Sequence, residues 1–307
     1  MLSMFRFLYW VCLIASAPVQ ALQPVPVAEN VYAFIGERGE TGPDNQGQIG
    51  NAGFIVGRSG VIVIDTGVSY RYGKQMISAI RRTSDQPIVL VVITHAIQEF
   101  VFGSAAFAEL GAPLLTHAKS AALMRERCNH CLDNLVSQLG AQAMEGTRLI
   151  VPEQTVTASQ SMRVAGRDID LLYFDWASTP GDLVVLDRAS GVAFAGGIVS
   201  NRRIPELRDA HLAGWLEALA ALKRSPVRSI VPGHGAPGGL ELADLTSAYL
   251  HALDDQVQGL YKRGATLSQT VDNVALPAFA DWDQYPAVHR RNALHRFLQL
   301  ESEELSR

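Results

Sequence analysis

Short apolar runs dominate the first half of the chain, at residues 31–35, 52–56, 61–64 and 88–93. The last two, Val61-Ile62-Val63-Ile64 and Ile88-Val89-Leu90-Val91-Val92-Ile93, are unbroken and rich in β-branched side chains. Such runs suit strands covered on both faces, where neither side of the pleat meets water. Between them Met76, Ile77 and Ile80 recur at helical spacing behind Gly73, so the pattern predicts strand, helix over 70–82, strand. Residues 37–50 are polar and Gly-rich with Pro43, and read as a long loop; long loops in compact domains are often functional. A helix follows Gly103 with Ser104 as its expected cap, and another runs from Ser120 towards Leu139.

Strand character returns over 162–199, where Leu183-Val184-Val185-Leu186, the turn 188–191 and Val192-Ala193-Phe194-Ala195 read as a hairpin. Leu212, Trp215, Leu216, Leu219 and Leu222 mark a helix over 209–222, and residues 229–232 form one more short strand. After Gly238 the periodicity is helical throughout, at 240–260, 267–274 and 287–305. The chain is thus predicted to be an α/β unit over 22–238 with a C-terminal helical extension over 239–307.

The first 21 residues are set apart. Arg6 is followed by the apolar run 7–15, and Val19 and Ala21 stand three and one residues before a cleavage point, as in a secretory signal peptide over 1–21. The run is too short for a membrane span and ends in Pro18, and Cys12 lies in no lipid-anchor context. The protein is therefore expected to be periplasmic or secreted, with no integral membrane segment after cleavage and with Cys128 and Cys131 as its cysteines. Composition adds mainly an exclusion. With 48% apolar and 18% charged residues the chain is a globular protein, and 26 basic against 30 acidic residues give a net charge of −4 and no basic stripe for nucleic acid.

Chemistry concentrates in Thr94-His95-Ala96-Ile97-Gln98-Glu99-Phe100-Val101-Phe102-Gly103, between a buried strand and a helix. Together with Asp65-Thr66-Gly67, Thr179-Pro180-Gly181-Asp182, the segment 194–199 and Pro232-Gly233-His234-Gly235, this stretch resembles the metallo-β-lactamase superfamily, landmark by landmark and in order. The resemblance implies a four-layer αβ/βα sandwich with a metal cleft at one edge, and Asp65, Gly103 and Asp182 match its structural motif positions. At the positions where that superfamily holds zinc, only His95 and His234 keep their residue. Glu99 replaces an Asp, Ile97, Phe100 and Ser178 replace His, and Gly197 replaces a bridging Asp.

Zinc needs three or four N, S or O donors, and a catalytic site also leaves a position open for water. Ile97, Phe100 and Gly197 have no donor atom. His95, Glu99 and His234 then have two readings: relics in a cleft turned apolar and suited to small-molecule binding, or a residual mononuclear site that recruits His117 or His211. Accordingly no cofactor is expected, with zinc at low occupancy as the alternative.

Cys128-Asn129-His130-Cys131 leaves three readings open: a disulfide, a thiol redox pair, or a metal half-site. Asp65 and Asp182 are expected to hold loops by accepting backbone N–H groups. The signal peptide, the Cys-x-x-Cys helix, the segments 201–205 and 209–216, and 285–292 also resemble a narrower branch, the exported metallohydrolase-like proteins of quinoprotein (pyrroloquinoline quinone) dehydrogenase systems. The expected function is a non-hydrolytic binding or accessory protein, a pseudoenzyme in class, whose partner is a small molecule or a periplasmic protein such as a quinoprotein dehydrogenase. The alternative is a mononuclear metal-dependent hydrolase of an ester, thioester or amide using His95, Glu99 and His234.

Overall fold

The structure is a computed structural model that describes residues 21–305. The expected signal peptide lies outside the described residues, apart from Ala21 at its end. Two sheets form the middle of the molecule. The first has seven strands in sequential order: β1 (Val25–Ala28), β2 (Val31–Phe34), β3 (Ala52–Val56), β4 (Val61–Ile64), β5 (Ile88–Val92), β6 (Leu114–His117) and β7 (Gln154–Val156). The second has the order β12 (Ser229–His234), β11 (Val192–Ser200), β10 (Leu183–Asp187), β9 (Arg167–Tyr173), β8 (Gln160–Val164).

The unbroken apolar runs are explained by three stacked interfaces. Along β4, Val61 and Val63 pack towards the helices, while Ile62 and Ile64 pack into the space between the sheets. In β10 the same period of two sends Leu183 and Val185 between the sheets and Val184 and Leu186 towards the other helical layer. Every residue of both strands is buried. Parallel pairing of β4 with β5 requires a crossover, and α1 (Tyr70–Thr83) supplies it, capped by the Ser69 hydroxyl accepting from Tyr72 N at 3.2 Å.

The outer layer on the first sheet is α1, α2 (Gln98–Val101), α3 (Ser104–Ala108) and α4 (Ala118–Leu139); on the second it is α5 (Leu212–Arg224), α6 (Glu241–Lys262), α7 (Leu267–Asn273) and α8 (Arg290–Leu305). One expectation changes. Ser104 does not cap α3: Gly103 holds the N-cap position, and Ser104 is buried with its hydroxyl 3.1 Å from that of Thr66. A Cβ on Gly103 would lie 1.9 Å from the Thr66 carbonyl oxygen, so the close approach of these two segments requires glycine there. The C-terminal helices, read as an extension and not as a separate domain, pack into the fourth layer. Leu242, Tyr249, Leu250, Leu253, Ala293 and Phe297 share one buried cluster with Trp215 and Leu219 of α5 and with the second sheet. No helix among the described residues is long and apolar enough to cross a membrane.

Candidate functional site

The site lies where β4, β5 and β12 end. Just past β4, Asp65 adopts φ 58°, a left-handed conformation that Asp tolerates better than most residues. Its carboxylate accepts from Thr94 N at 2.8 Å and from the Thr94 hydroxyl at 2.8 Å, and that hydroxyl oxygen is 2.8 Å from His95 Nδ1. The Thr94 hydroxyl is the donor to Asp65 Oδ2. The Thr94 proton therefore points at Asp65, His95 donates from Nδ1, and Nε2 is left as a bare acceptor towards the cleft. Burial pushes Asp65 up to about 7 against the pull of the Thr94 bonds, and burial pulls His95 down to about 3, so this imidazole is neutral at neutral pH.

Glu99 stands in the first turn of α2, with its carboxylate 3.3 Å from His234 Nε2 at the end of β12. Burial alone would raise Glu99, but the hydrogen bond and charge of His234, with a contribution from Arg203, outweigh it and hold the carboxyl below its ordinary value. Phe100 touches both histidines: its ring centroid is 4.3 Å from that of His95 and 5.5 Å from that of His234. The ring is fully buried, with Gly50 closing in behind it, since a Cβ there would lie 2.9 Å from the ring.

The opposite wall is fixed by Asp182, which accepts from Ser178 Oγ at 2.9 Å, Thr179 N at 2.7 Å and Thr179 Oγ1 at 2.9 Å. Burial nevertheless raises its pKa to about 6. Ser178 faces Gly197 so closely that a Cβ on Gly197 would lie 2.3 Å from Ser178 Oγ and 3.1 Å from His95 Nε2. The two replaced positions are thus packed against each other.

Several residues of the site escaped the sequence reading. Asn51 secures the His234 loop: its amide donates to Pro232 O at 2.8 Å and Gly235 O at 2.7 Å, while its side-chain oxygen accepts from Gly36 N at 2.8 Å. Arg203 pairs with Asp283 at 2.5 Å and donates to Gly39 O at 2.8 Å, tying the long loop to the rim. Asn292 of α8 donates to Pro205 O at 2.7 Å and accepts from Leu207 N at 3.0 Å. The segments 201–205 and 285–292, far apart in sequence, therefore meet. Apart from the Asn51 bond to Gly36, each of these partners lies eighty or more residues away in sequence, and no local pattern points to it.

An inner cavity of about 80 Å³ is lined by His95, Glu99, Phe100, Ser178 and His234 with apolar residues including Ile204 and Trp215. It shares Glu99, Arg203, Glu206 and Val288 with an outer chamber of about 270 Å³, whose other walls include Gln98, Gln138, Gln284 and Arg291. His117 and His211 line neither chamber. Each caps a helix, accepting from Lys119 N and from Gly214 N, both at 3.2 Å, and His117 stacks on Tyr173. Cys128 and Cys131 are free thiols on α4, one buried and one half-buried.

Residues 46–96 match the family model of the metallo-beta-lactamase superfamily. A metallo-beta-lactamase from Pontibacter korlensis superposes with a TM-score of 0.62 at 20% identity, covering 75% of this chain and 99% of the other. A metallo-beta-lactamase from Hirschia baltica gives 0.59 at 19%, covering 74% and 96%. The chain has the metallo-β-lactamase fold, and its residues 46–96 carry that superfamily's sequence pattern. Its sequence is also 23% identical over 266 residues to a linear primary-alkylsulfatase of Pseudomonas sp. (strain ATCC 19151), covering 71% of this chain and 48% of that protein. The chain thus spans about half the length of that relative.

The metallo-β-lactamase fold implies zinc, and the side chains present do not fit it. Glu99 and His234 are bonded to each other, the Ser178 hydroxyl is committed to Asp182, and positions 97, 100 and 197 supply carbon or nothing. Among the described residues no group of three or more His, Cys, Asp and Glu is arranged to hold a metal ion.

Proposed function

We propose that this chain is an exported metallo-β-lactamase-fold protein that binds a ligand without hydrolysing it, as an accessory of a quinoprotein-linked oxidation system. The observation that carries this reading is the Phe100 ring in contact with both remaining histidines: an aromatic side chain occupies a ligand position in the cleft. What is left is chemistry for recognition. A neutral His95 with a free acceptor, the Glu99 carboxylate and Arg203 surround a small apolar chamber that opens into a polar one. Ligand sites commonly combine apolar walls with a few placed polar groups. At about 80 Å³ the inner chamber takes only the tip of a ligand, so the bulk of it would rest in the outer chamber.

Hydrolysis of an ester, of the kind named by the alkylsulfatase relative, is the competing reading. It requires Glu99 and His234 to leave each other for a metal shared with His95. The two readings separate in extracts of cells that lack the chain and oxidise a substrate through a quinoprotein dehydrogenase. The binding reading expects added protein that has been stripped of metal and freed of the chelator to restore oxidation as well as untreated protein. Loss of rescue by the stripped, folded protein, regained on adding zinc, would refute it.

A further inference from the structure

Cys128 and Cys131 lie three residues apart on α4, within reach of each other on one face. Cys128 is 1% exposed and packs in the core cluster that also contains Phe107, Met124 and Leu135. Cys131 sits at the edge of that cluster, half-buried and in touch with solvent. The two thiols are free and close enough to influence each other, Cys131 being held down and Cys128 pushed up. Arg208, from the loop that packs across α4, adds positive charge near Cys131. Arg208 is held there by Asp209, which also pairs with Arg127 of α4.

We propose that Cys128 and Cys131 form a thiol–disulfide exchange site, with Cys131 as the attacking sulfur and Cys128 as the resolving one. The co-reactant is a disulfide. The Cys131 thiolate attacks one of its sulfurs, forming a mixed disulfide and expelling the other sulfur as a thiolate. Cys128, losing its proton to solvent, then attacks the Cys131 sulfur and expels the second thiolate. The disulfide is reduced to two thiols, and Cys128 and Cys131 are oxidised to one intramolecular disulfide.

Three observations favour exchange over a permanent structural bond. First, the attacking and resolving thiols differ in access, as exchange requires. Second, the neighbouring Cys128 thiol and the charge of Arg208 hold Cys131 below an ordinary thiol, while the Cys131 thiol and burial raise Cys128. Third, Cβ atoms three residues apart on a regular helix stand about 5–6 Å from each other, whereas a relaxed disulfide wants about 3.8 Å. Closing the bond distorts a helical turn, and a strained disulfide is the labile kind. The site is independent of the cleft and of the function proposed for it.

The test equilibrates the full chain at neutral pH in mixtures of reduced and oxidised glutathione, quenches with acid, alkylates free thiols and weighs the peptide that carries residues 128–131. The expected result is reversible interconversion of dithiol and disulfide across the mixtures. Cys128→Ser should accumulate a glutathione adduct on Cys131, and Cys131→Ser should form none on Cys128. Cys128→Ala removes the neighbouring thiol and should slow alkylation of Cys131 several-fold at neutral pH. A pair that stays reduced in every mixture, a disulfide that resists the most reducing one, or equal adduct formation at both positions would each overturn the proposal. If the Cys128 variants fail to fold, the glutathione titration of the unaltered chain and the solvent-facing Cys131→Ser variant still decide it.

Discussion

The two walls of the cleft are anchored alike and furnished differently from what they anchor. On one side Asp65 accepts a backbone N–H and a hydroxyl from Thr94; on the other Asp182 accepts a backbone N–H and two hydroxyls from Ser178 and Thr179. These carboxylates shape the loops. The positions the loops present to the cleft, Ile97, Phe100, Ser178 and Gly197, hold carbon or a hydroxyl already in use. The difference teaches that loop geometry and site chemistry are encoded by separate residues, so one is retained while the other changes.

The sharpest way to probe that separation is to change only the contents. If the framework is intact, the double substitution Ile97→His and Ser178→His places two imidazoles beside His95, a three-nitrogen set of the kind that holds zinc. Zinc titration should then pass from no measurable stoichiometric binding to about one ion per chain, an affinity gain of several orders of magnitude. Failure of the folded variant to bind zinc would mean that the loops themselves have moved.

Breaking the framework instead should cost stability. Asp182→Ala leaves Thr179 N and two hydroxyls without their acceptor in a buried position, a loss of about 3 kcal/mol, read as a fall in the denaturation midpoint. Asn292→Ala unclasps the segment 205–207 from α8 and should cost about 2 kcal/mol. In that variant the cleft rim should also lose protection in hydrogen exchange while β4 and β10 keep theirs.

The framework was legible in sequence because its signals are local. Val61-Ile62-Val63-Ile64 announces a strand buried on both faces, and an Asp at the end of such a strand has backbone donors within a few residues of the strand beside it. The departures at 97, 99, 100, 178 and 197 were legible too, as replacements in a recognisable pattern. What could not be read was the company those residues keep. Nothing near Phe100 says that its ring meets both His95 and His234, and nothing near Arg203 points to Asp283 or Gly39. Those contacts are made by the crossing of layers. The helical segment after Gly238 shows the same limit: its apolar stripe says that it is covered, but not that the second sheet and α5 cover it.

The smallest effect is electrostatic. The folded His95 value of about 3 lies below the ordinary 6.5, so burying it neutral contributes stability that is present above about pH 6.5 and is lost as pH falls towards 3. Asp65, raised from 3.8 to about 7, acts oppositely: its contribution is present below about pH 4 and is lost as pH rises through 7. Denaturant unfolding of the protein and of His95→Asn at pH 7 and pH 5.5 isolates the histidine. The advantage of the unaltered protein should shrink by about 1 kcal/mol at the lower pH, since a single proton changes stability by at most about 1.4 kcal/mol per pH unit.

The central claim, that the cleft holds aromatic and apolar side chains where a metal centre would need donors, is tested most directly by elemental analysis of the purified chain after dialysis against zinc, with the His95→Ala/His234→Ala double variant in parallel. The account predicts far less than one metal ion per chain and the same residual content in both proteins. About one zinc per chain, lost in the double variant, would contradict it.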